Sequence, residues 1–416
     1  MASPLKGGRS GRHNRFRLQG ICLLLVTAGV QAGEWDLELS ADSRYFPEEA
    51  AYGQEGSAAA SASARIKYDQ SWNDDRDLLE LDAFYRWSDS ADNRTHGDIQ
   101  DLAWLHVADG WELRTGVRTV FWGVAEFNHL VDTINQVDLA ERPDGEAYLG
   151  QPMVNLSLVQ DWGIVDLYLL AGFRERIFPG EDGRFRLPVE VSEDVVEYES
   201  GAEDQHLDVA LRWTRSLDSW ELAASLFAGT GRDPEFNSLT PDFKLIPYYP
   251  QIAQAAVEVQ YTHEFWLWKL EALTRSGEEG GRYAATAFGF EYTLEGILDT
   301  AADLGLVAEY NWDERGAEAP TYLNDDVALG TRLALNNEAD TDLLLGIVYD
   351  PATSERLWLV EGHHRIGDDW KVNVEGFLVS SRHPPSPLEW LTGDDTYRLA
   401  PVSRDDYIQL EVVRYF

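Results

Sequence analysis

The sequence is poor in sulfur and in positive charge. One of its 416 residues is cysteine and two are methionine. Cys22 stands alone, so an internal disulfide and a thiolate metal centre are both excluded, and nothing beyond residue 32 offers a nucleophilic thiol. Lysine and arginine total 34 against 73 acidic residues. Such an excess repels phosphate and excludes a nucleic-acid partner. Glycine-rich phosphate loops are missing too. After residue 32 no apolar run approaches the roughly 20 residues that a membrane-spanning helix needs. If this chain meets a bilayer, it must do so as a closed barrel. Its negative mean hydropathy resembles that of a soluble protein, but a barrel dilutes its lipid-facing residues with lumen and loop residues.

What is present begins with residues 1–32. Lys6, Arg9, Arg12, Arg15 and Arg17 precede a short apolar run from Leu18 to Val30, and Val30-Gln31-Ala32 closes in a small-x-small pattern. These are the parts of a secretory signal peptide, which predicts a mature chain starting at Gly33. The run is too short for a membrane anchor, and Cys22 opens it instead of ending it, unlike a lipoprotein signal. Residues 33–416 then carry 29 basic and 73 acidic side chains, a net of −44.

Segments of about ten residues alternate apolar with polar, the period of a strand whose two faces meet different surroundings. Trp111 to Phe121 sets Trp, Leu, Thr and Val against Glu, Arg, Gly and Arg. Leu207–Trp213, Trp268–Ala272, Leu304–Trp312 and Trp370–Gly376 repeat the pattern. Eighteen such segments are expected, with sixteen the alternative, in a single all-β transmembrane antiparallel barrel. Their connections alternate between tight turns, such as Asn73-Asp74-Asp75 and Gly367-Asp368-Asp369, and long acidic stretches, such as 178–204, 232–250 and 382–404. Short turns at one end and long loops at the other suit an outer-membrane barrel, whereas a soluble sandwich has no reason to segregate them.

Tryptophan recurs just after the tight turns, at Trp111, Trp220, Trp266 and Trp370, with Trp162 beside another, which reads as an aromatic girdle at one membrane interface. Tyr45, Phe173, Tyr310, Trp312 and Tyr349 are candidates for the opposite girdle. The final strand, Tyr407–Phe416, ends in an aromatic residue and resembles the C-terminal strand of bacterial outer-membrane barrels, departing from it at Arg414, where an apolar residue is expected.

The most distinctive stretch runs from Gly116 to Val154. Gly116, Arg118, Trp122 and Gly123 are followed by Asn135-x-x-Asp138 and by Pro152-Met153-Val154. This resembles a family of uncharacterised proteobacterial outer-membrane barrels distantly akin to alginate-export barrels and porins. Here Val117 intervenes between Gly116 and Arg118 and the chain is shorter than that family's, so its substrate class does not carry over.

Residues 128–151 are long and carry Leu130, Val131, Ile134, Val137 and Leu139, too apolar to wave freely in water. A loop tucked into the lumen would bring Asp132, Asp138, Glu141 and Arg142 near the pore axis; a folded outer cap is the alternative. On the strands, Arg114, Arg118, Arg212, Lys269, Arg332 and Arg365 form a possible basic ladder facing Glu112, Asp208, Glu271, Glu309 and Glu375, a transverse field across a constriction. Alternatively, these are cross-strand ion pairs filling a polar interior. His363 and His364 are adjacent on a strand and so point to opposite faces, which argues against a shared metal. No Ser/His/Asp set stands out. The expectation is a non-enzymatic outer-membrane channel for small solutes, cation-preferring, with lipid and solute as partners and no cofactor or metal. A barrel passing hydrophobic compounds and a barrel hydrolase are the alternatives.

Overall fold

The computed structural model describes residues 33–53, 56–90, 92–319, 321–387 and 396–416. The export signal expected in residues 1–32 lies outside them. Period-two sequences form eighteen long strands: β1 Glu34–Tyr45, β2 Ala58–Trp72, β3 Asp77–Ser88, β4 His96–Ala108, β5 Trp111–Arg118 and β6 Gln151–Gln160 come first. Next are β7 Gly163–Ala171, β8 Leu207–Leu217, β9 Trp220–Thr230, β10 Gln251–His263, β11 Trp266–Ser276 and β12 Tyr283–Leu294. The last are β13 Asp303–Asp313, β14 Asp325–Ala334, β15 Asp342–Tyr349, β16 Arg356–Ile366, β17 Trp370–Ser380 and β18 Tyr407–Tyr415. Every neighbour is antiparallel, and β18 pairs with β1 from Glu38↔Tyr415 to Tyr45↔Ile408, which closes the sheet into a barrel.

Closure leaves the sheet no open edge, so the strands pair on both sides along their shared ladders and the outer wall can face lipid. That wall is apolar. On β8, Leu207, Val209 and Leu211 point outward and are exposed while Asp208 and Ala210 between them are buried inside. At the end where the chain enters, six connections are tight, 73–76, 109–110, 161–162, 218–219, 264–265 and 367–369, and two, 295–302 and 335–341, are somewhat longer. Asn73, Asp74, Asp75, Asp218, Glu264 and Asn336 take positive φ there, a conformation that short polar side chains tolerate best. The long connections 119–150, 172–206, 231–250 and 381–406 all lie at the other end. Segregation by end is strict, but segregation by length is not, since 277–282 and 350–355 are short and also lie at the long-loop end.

Trp111, Trp220 and Trp370 open β5, β9 and β17 at the tight-turn end and point outward, exposed, on one rim. Arg414 lies beside them, its guanidinium over the rings of Trp370 at 5.1 Å and Phe416 at 4.5 Å. Cation–π contact thus explains how an arginine occupies a position expected to be apolar. At the opposite rim Tyr45, Tyr310 and Trp312 are exposed, but Phe173 is not: it is buried against Tyr198 and Tyr249 of the loops, centroids 6.0 and 4.8 Å away. The girdle expected of Phe173 is corrected, because the loop strands 197–198 and 245–249 cover it.

The buried apolar residues lie within the barrel, where loops meet the inward faces of the strands. One cluster joins Trp122, Val131 and Ile134 to Tyr168, Leu170, Phe227, Ile252 and Leu273. A second joins Phe46, Leu323, Leu399, Phe377 and Tyr407, with Phe127 and Phe185 packed on it.

Candidate functional site in the lumen

The distinctive stretch Gly116–Val154 holds the geometry that turns residues 119–150 toward the wall. Gly116 has φ +139°, and a Cβ there would stand 2.1 Å from the Leu102 carbonyl oxygen. Gly123 has φ +135°, and its Cβ would meet the Glu271 carboxylate at 2.9 Å. Only glycine suits both positions. Asn135 staples the loop's two ends, donating from Nδ2 to the carbonyls of Arg118 and Leu149, both at 2.9 Å, and accepting from the Val120 N–H at 2.8 Å. Asp138 accepts the Glu141 N–H at 3.0 Å and meets His96 Nε2 at 2.7 Å.

Two inward-facing strand carboxylates receive the loop backbone. Glu271 of β11, fully buried, accepts the N–H groups of Val124 at 2.6 Å, Ala125 at 2.8 Å and Val131 at 3.2 Å. Glu309 of β13 accepts those of Glu126 at 2.5 Å and Phe127 at 3.0 Å. Backbone donors converging on a carboxylate make strong, charge-assisted bonds and satisfy loop amides that would otherwise be stranded. Phe127 fits a notch made by two glycines paired across β14 and β15: a Cβ on Gly330 would approach its ring at 2.9 Å, and one on Gly346 at 2.6 Å. Further along, Gln254 of β10 donates to the Val131 carbonyl at 3.2 Å. Glu141 pairs with Arg86 of β3 at 2.7 Å, and Arg142 reaches Glu361 of β16 at 3.1 Å and Glu375 of β17 at 3.8 Å. Residues 119–150 therefore touch the inward face on widely separated strands.

The sequence-predicted charges are distributed among local partners. Arg114 pairs with Glu112 on its own strand at 2.7 Å, and Arg212 with Glu258 at 2.7 Å, with its guanidinium 5.1 Å from the Trp122 ring. Arg118 meets Asn155 Oδ1 at 3.4 Å. Lys269 and Arg332 both face Glu126 of the loop, the former at 3.5 Å. Asp208 binds Arg232 of the 231–250 loop at 2.6 Å, and Glu375 accepts the Tyr407 hydroxyl. Arg365 stands apart at the tight-turn rim, donating to the Asp368 carbonyl at 3.2 Å. Most of these charges thus meet a local partner of opposite sign, while Arg118 and Arg365 meet neutral acceptors. His363 lies near Asp340 at 3.4 Å while His364 meets Thr341 at 2.8 Å, each engaged separately.

Around Arg142 the balance is acidic. Its guanidinium also contacts Asp144 at 2.5 Å and Glu146 at 3.5 Å, so one cation serves four carboxylates. Oxygens of Asp144, Glu146 and Glu361 lie within 4.8 Å of one another, and the arginine among them supplies the counter-charge that a cation would bring. Asp132 lies nearby in the loop with both carboxylate oxygens buried. Burial pushes its pKa up to about 7, with His129 opposing.

Four further residues were not singled out from the sequence. Glu126 and Phe127 dock the loop onto the wall, and Arg184 and Phe185 bring the 172–206 loop inward. Arg184 is buried, donating to Asp405 at 3.3 Å and to the carbonyls of Arg404 at 3.0 Å and Glu48 at 2.8 Å. Phe185 stacks edge-on against Phe377 and Tyr407, centroids 5.3 and 5.4 Å away. A cavity of about 340 Å³ on the tight-turn side of Val124 is lined by Arg212, Thr214, Ser216, Glu221 and Glu258.

No protein-family model and no curated protein sequence matches the chain. Solved structures do share its fold. A BenF-like porin from Pseudomonas fluorescens Pf-5 superposes with a TM-score of 0.54 at 7% identity, covering 93% of this chain and 98% of that one. OccAB1 of Acinetobacter baumannii gives 0.53 at 8% identity over 93% and 96% of the two chains. Wzi of Escherichia coli, described as a carbohydrate-binding β-barrel involved in group 1 capsule assembly, gives 0.52 at 9% over 92% and 84%. With its closed eighteen-stranded sheet, apolar outer wall and aromatic rims, this chain is an outer-membrane β-barrel of porin-like fold.

Proposed function

We propose that this barrel is a channel for small polar solutes whose passage is set by residues 119–150, and that it prefers cations. The observation that carries the reading is the docking of that segment's backbone on Glu271 and Glu309, inward-facing residues at mid-strand. A plug held by two buried carboxylates narrows the lumen. Of the lumen charges named above, Glu141 and Arg142 of the loop and Arg114, Arg118, Arg212 and Arg332 of the wall are the proposed lining; Asp132, Asp138, Lys269, Glu271 and Glu309 are buried where the loop meets the wall, and Arg365 is the outlier at the rim. Cation preference rests on the four-to-one acid excess at Arg142 and on the net −44 of residues 33–416. A vestibule of one sign concentrates the opposite ion, and added salt screens that advantage.

Two neighbours in fold are described as a porin and as a carbohydrate-binding barrel, which suits a hydrophilic solute better than a hydrophobic one. Kinship with alginate-export barrels is proposed from Gly116–Val154 alone. The test is the reversal potential across a planar bilayer in a potassium chloride gradient. A potential of cation-selective sign that shrinks as salt rises supports the reading; an anion-selective sign at low salt rejects it.

A further inference from the structure

Away from the acidic cluster around Arg142, the barrel wall below the 172–206 loop gathers arginines. Arg44 of β1, Arg86 of β3 and Arg94 of the 89–95 connection are all buried and share Asp42 and Glu141 as neighbouring acids. Arg86 takes the close bonds to both acids, meeting Asp42 through one nitrogen and Glu141 through two. Glu411, opposite Asp42 in the β1–β18 pairing, accepts from Asn373 at 2.9 Å. The other two arginines are left poorly served. Among the described residues Arg44 hydrogen-bonds neutral acceptors, Gln409 Oε1 at 2.5 Å and the Glu141 carbonyl at 3.3 Å, and lies over the Tyr407 ring at 5.0 Å. Arg94, 6% exposed, has contacts of 3.4 Å to Asp42 and Ser61, and its Nε has no partner among the described residues. A buried guanidinium without a close acceptor is costly. Burial beside Arg44 brings the pKa of Arg94 down to about 10, a sign of the same shortage of negative charge.

Arg44 and Arg94 line one cavity of about 30 Å³. Its walls also include Leu139 and Pro143 of the inward loop, and Gly180, Arg184 and Phe185 of the 172–206 loop. We infer that this cavity is a binding site for a small monovalent anion, a halide or the carboxylate head of a small organic acid, held between the guanidiniums of Arg44 and Arg94. The volume suits an ion of that size and excludes a sugar or a nucleotide. Guanidinium donors in a partly enclosed pocket supply charge-assisted bonds to the ion. Because the pocket is walled by both inward-folded loops as well as by the barrel, an occupant also ties the two loops to one place on the wall. The inference stands independently of ion selectivity in the pore.

The experiment uses the purified full-length protein in detergent at fixed ionic strength and pH, with sodium gluconate replaced stepwise by sodium chloride or by sodium formate. Gluconate is too bulky for the cavity. The reading is the midpoint of thermal loss of β-sheet circular dichroism. A ligand that binds only the folded form raises the midpoint as its concentration passes the dissociation constant. The inference predicts a concentration-dependent rise with at least one anion, lost in Arg94→Gln and reduced in Arg94→Lys, which keeps the charge but removes Nε. Chloride alone acting identifies a halide site; formate acting identifies a carboxylate site. No rise with either anion in the wild type overturns the inference, as does an equal rise in both variants. If Arg94→Gln does not fold, an undiminished rise in Arg94→Lys is the overturning result.

Discussion

Replacing Glu271 by alanine perturbs the loop where the structure makes it most dependent on a single side chain. The carboxylate accepts three loop N–H groups at 2.6, 2.8 and 3.2 Å and is fully buried. A hydrogen bond to a charged group contributes about 1.5–3 kcal/mol, and a buried donor left unpaired costs about 1–3 kcal/mol. Three donors would cost roughly 6 kcal/mol, but the space vacated by the side chain admits water that recovers part, so about 4 kcal/mol is the working figure. That shifts the balance between docked and released loop by about a thousandfold. Glu271→Gln keeps one carbonyl acceptor and should lose about half as much. Hydrogen exchange at Val124, Ala125 and Val131 reads the release, while heat-modifiable gel mobility checks that the barrel is intact. The expected order of protection is wild type, then Gln, then Ala. Unchanged protection in Glu271→Ala with an intact barrel would refute the docking argument.

Gly116→Ala should prevent or strongly impair folding, because the new methyl would meet the Leu102 carbonyl at 2.1 Å on a backbone with φ +139°; recovery of wild-type yields on refolding into detergent would contradict this. The docked loop should loosen as pH rises. Asp132, pushed up to about 7 by burial, holds its proton in the docked loop to higher pH than in a released one, so docking is favoured below about pH 4 and loses that advantage on the way to about 7. His129 acts in the same sense: despite burial, the Glu146 carboxylate raises its pKa, and that contribution also fades as pH climbs. Asp132→Asn should flatten most of the pH dependence of loop hydrogen exchange, and an unchanged profile would count against the assignment. Trp370→Ala should lower barrel stability by removing both an interfacial anchor and the face on which Arg414 lies, measured as a lower urea midpoint in vesicles, with Trp370→Phe largely retaining it.

The strands were readable because each has one face in lipid and one in the lumen, so the period-two signal persists even where, as on β8, Asp208 and Arg212 interrupt the apolar residues. Strand starts at Trp111, Trp220 and Trp370 were marked by the turn and the indole together. The loop end was less legible. Phe173 reads as a girdle residue until strands 197–198 and 245–249, distant in sequence, cover it. Arg184 and Phe185 sit in an acidic loop and look solvated; their partners Asp405, Phe377 and Tyr407 come from the far end of the chain. The charges of the proposed site were visible, but their pairing was not, because which acid meets which base depends on register and on where Glu126 docks. The notch for Phe127 is likewise invisible until register sets Gly330 opposite Gly346.

Control of passage by residues 119–150 is tested most directly by single-channel conductance in planar bilayers, comparing the wild type with a variant in which residues 124–147 are replaced by a short glycine-serine bridge, after both are shown to fold. The prediction is a small, ion-selective conductance in the wild type that rises several-fold in the variant. Equal conductance in the two proteins, or none in either, would contradict it.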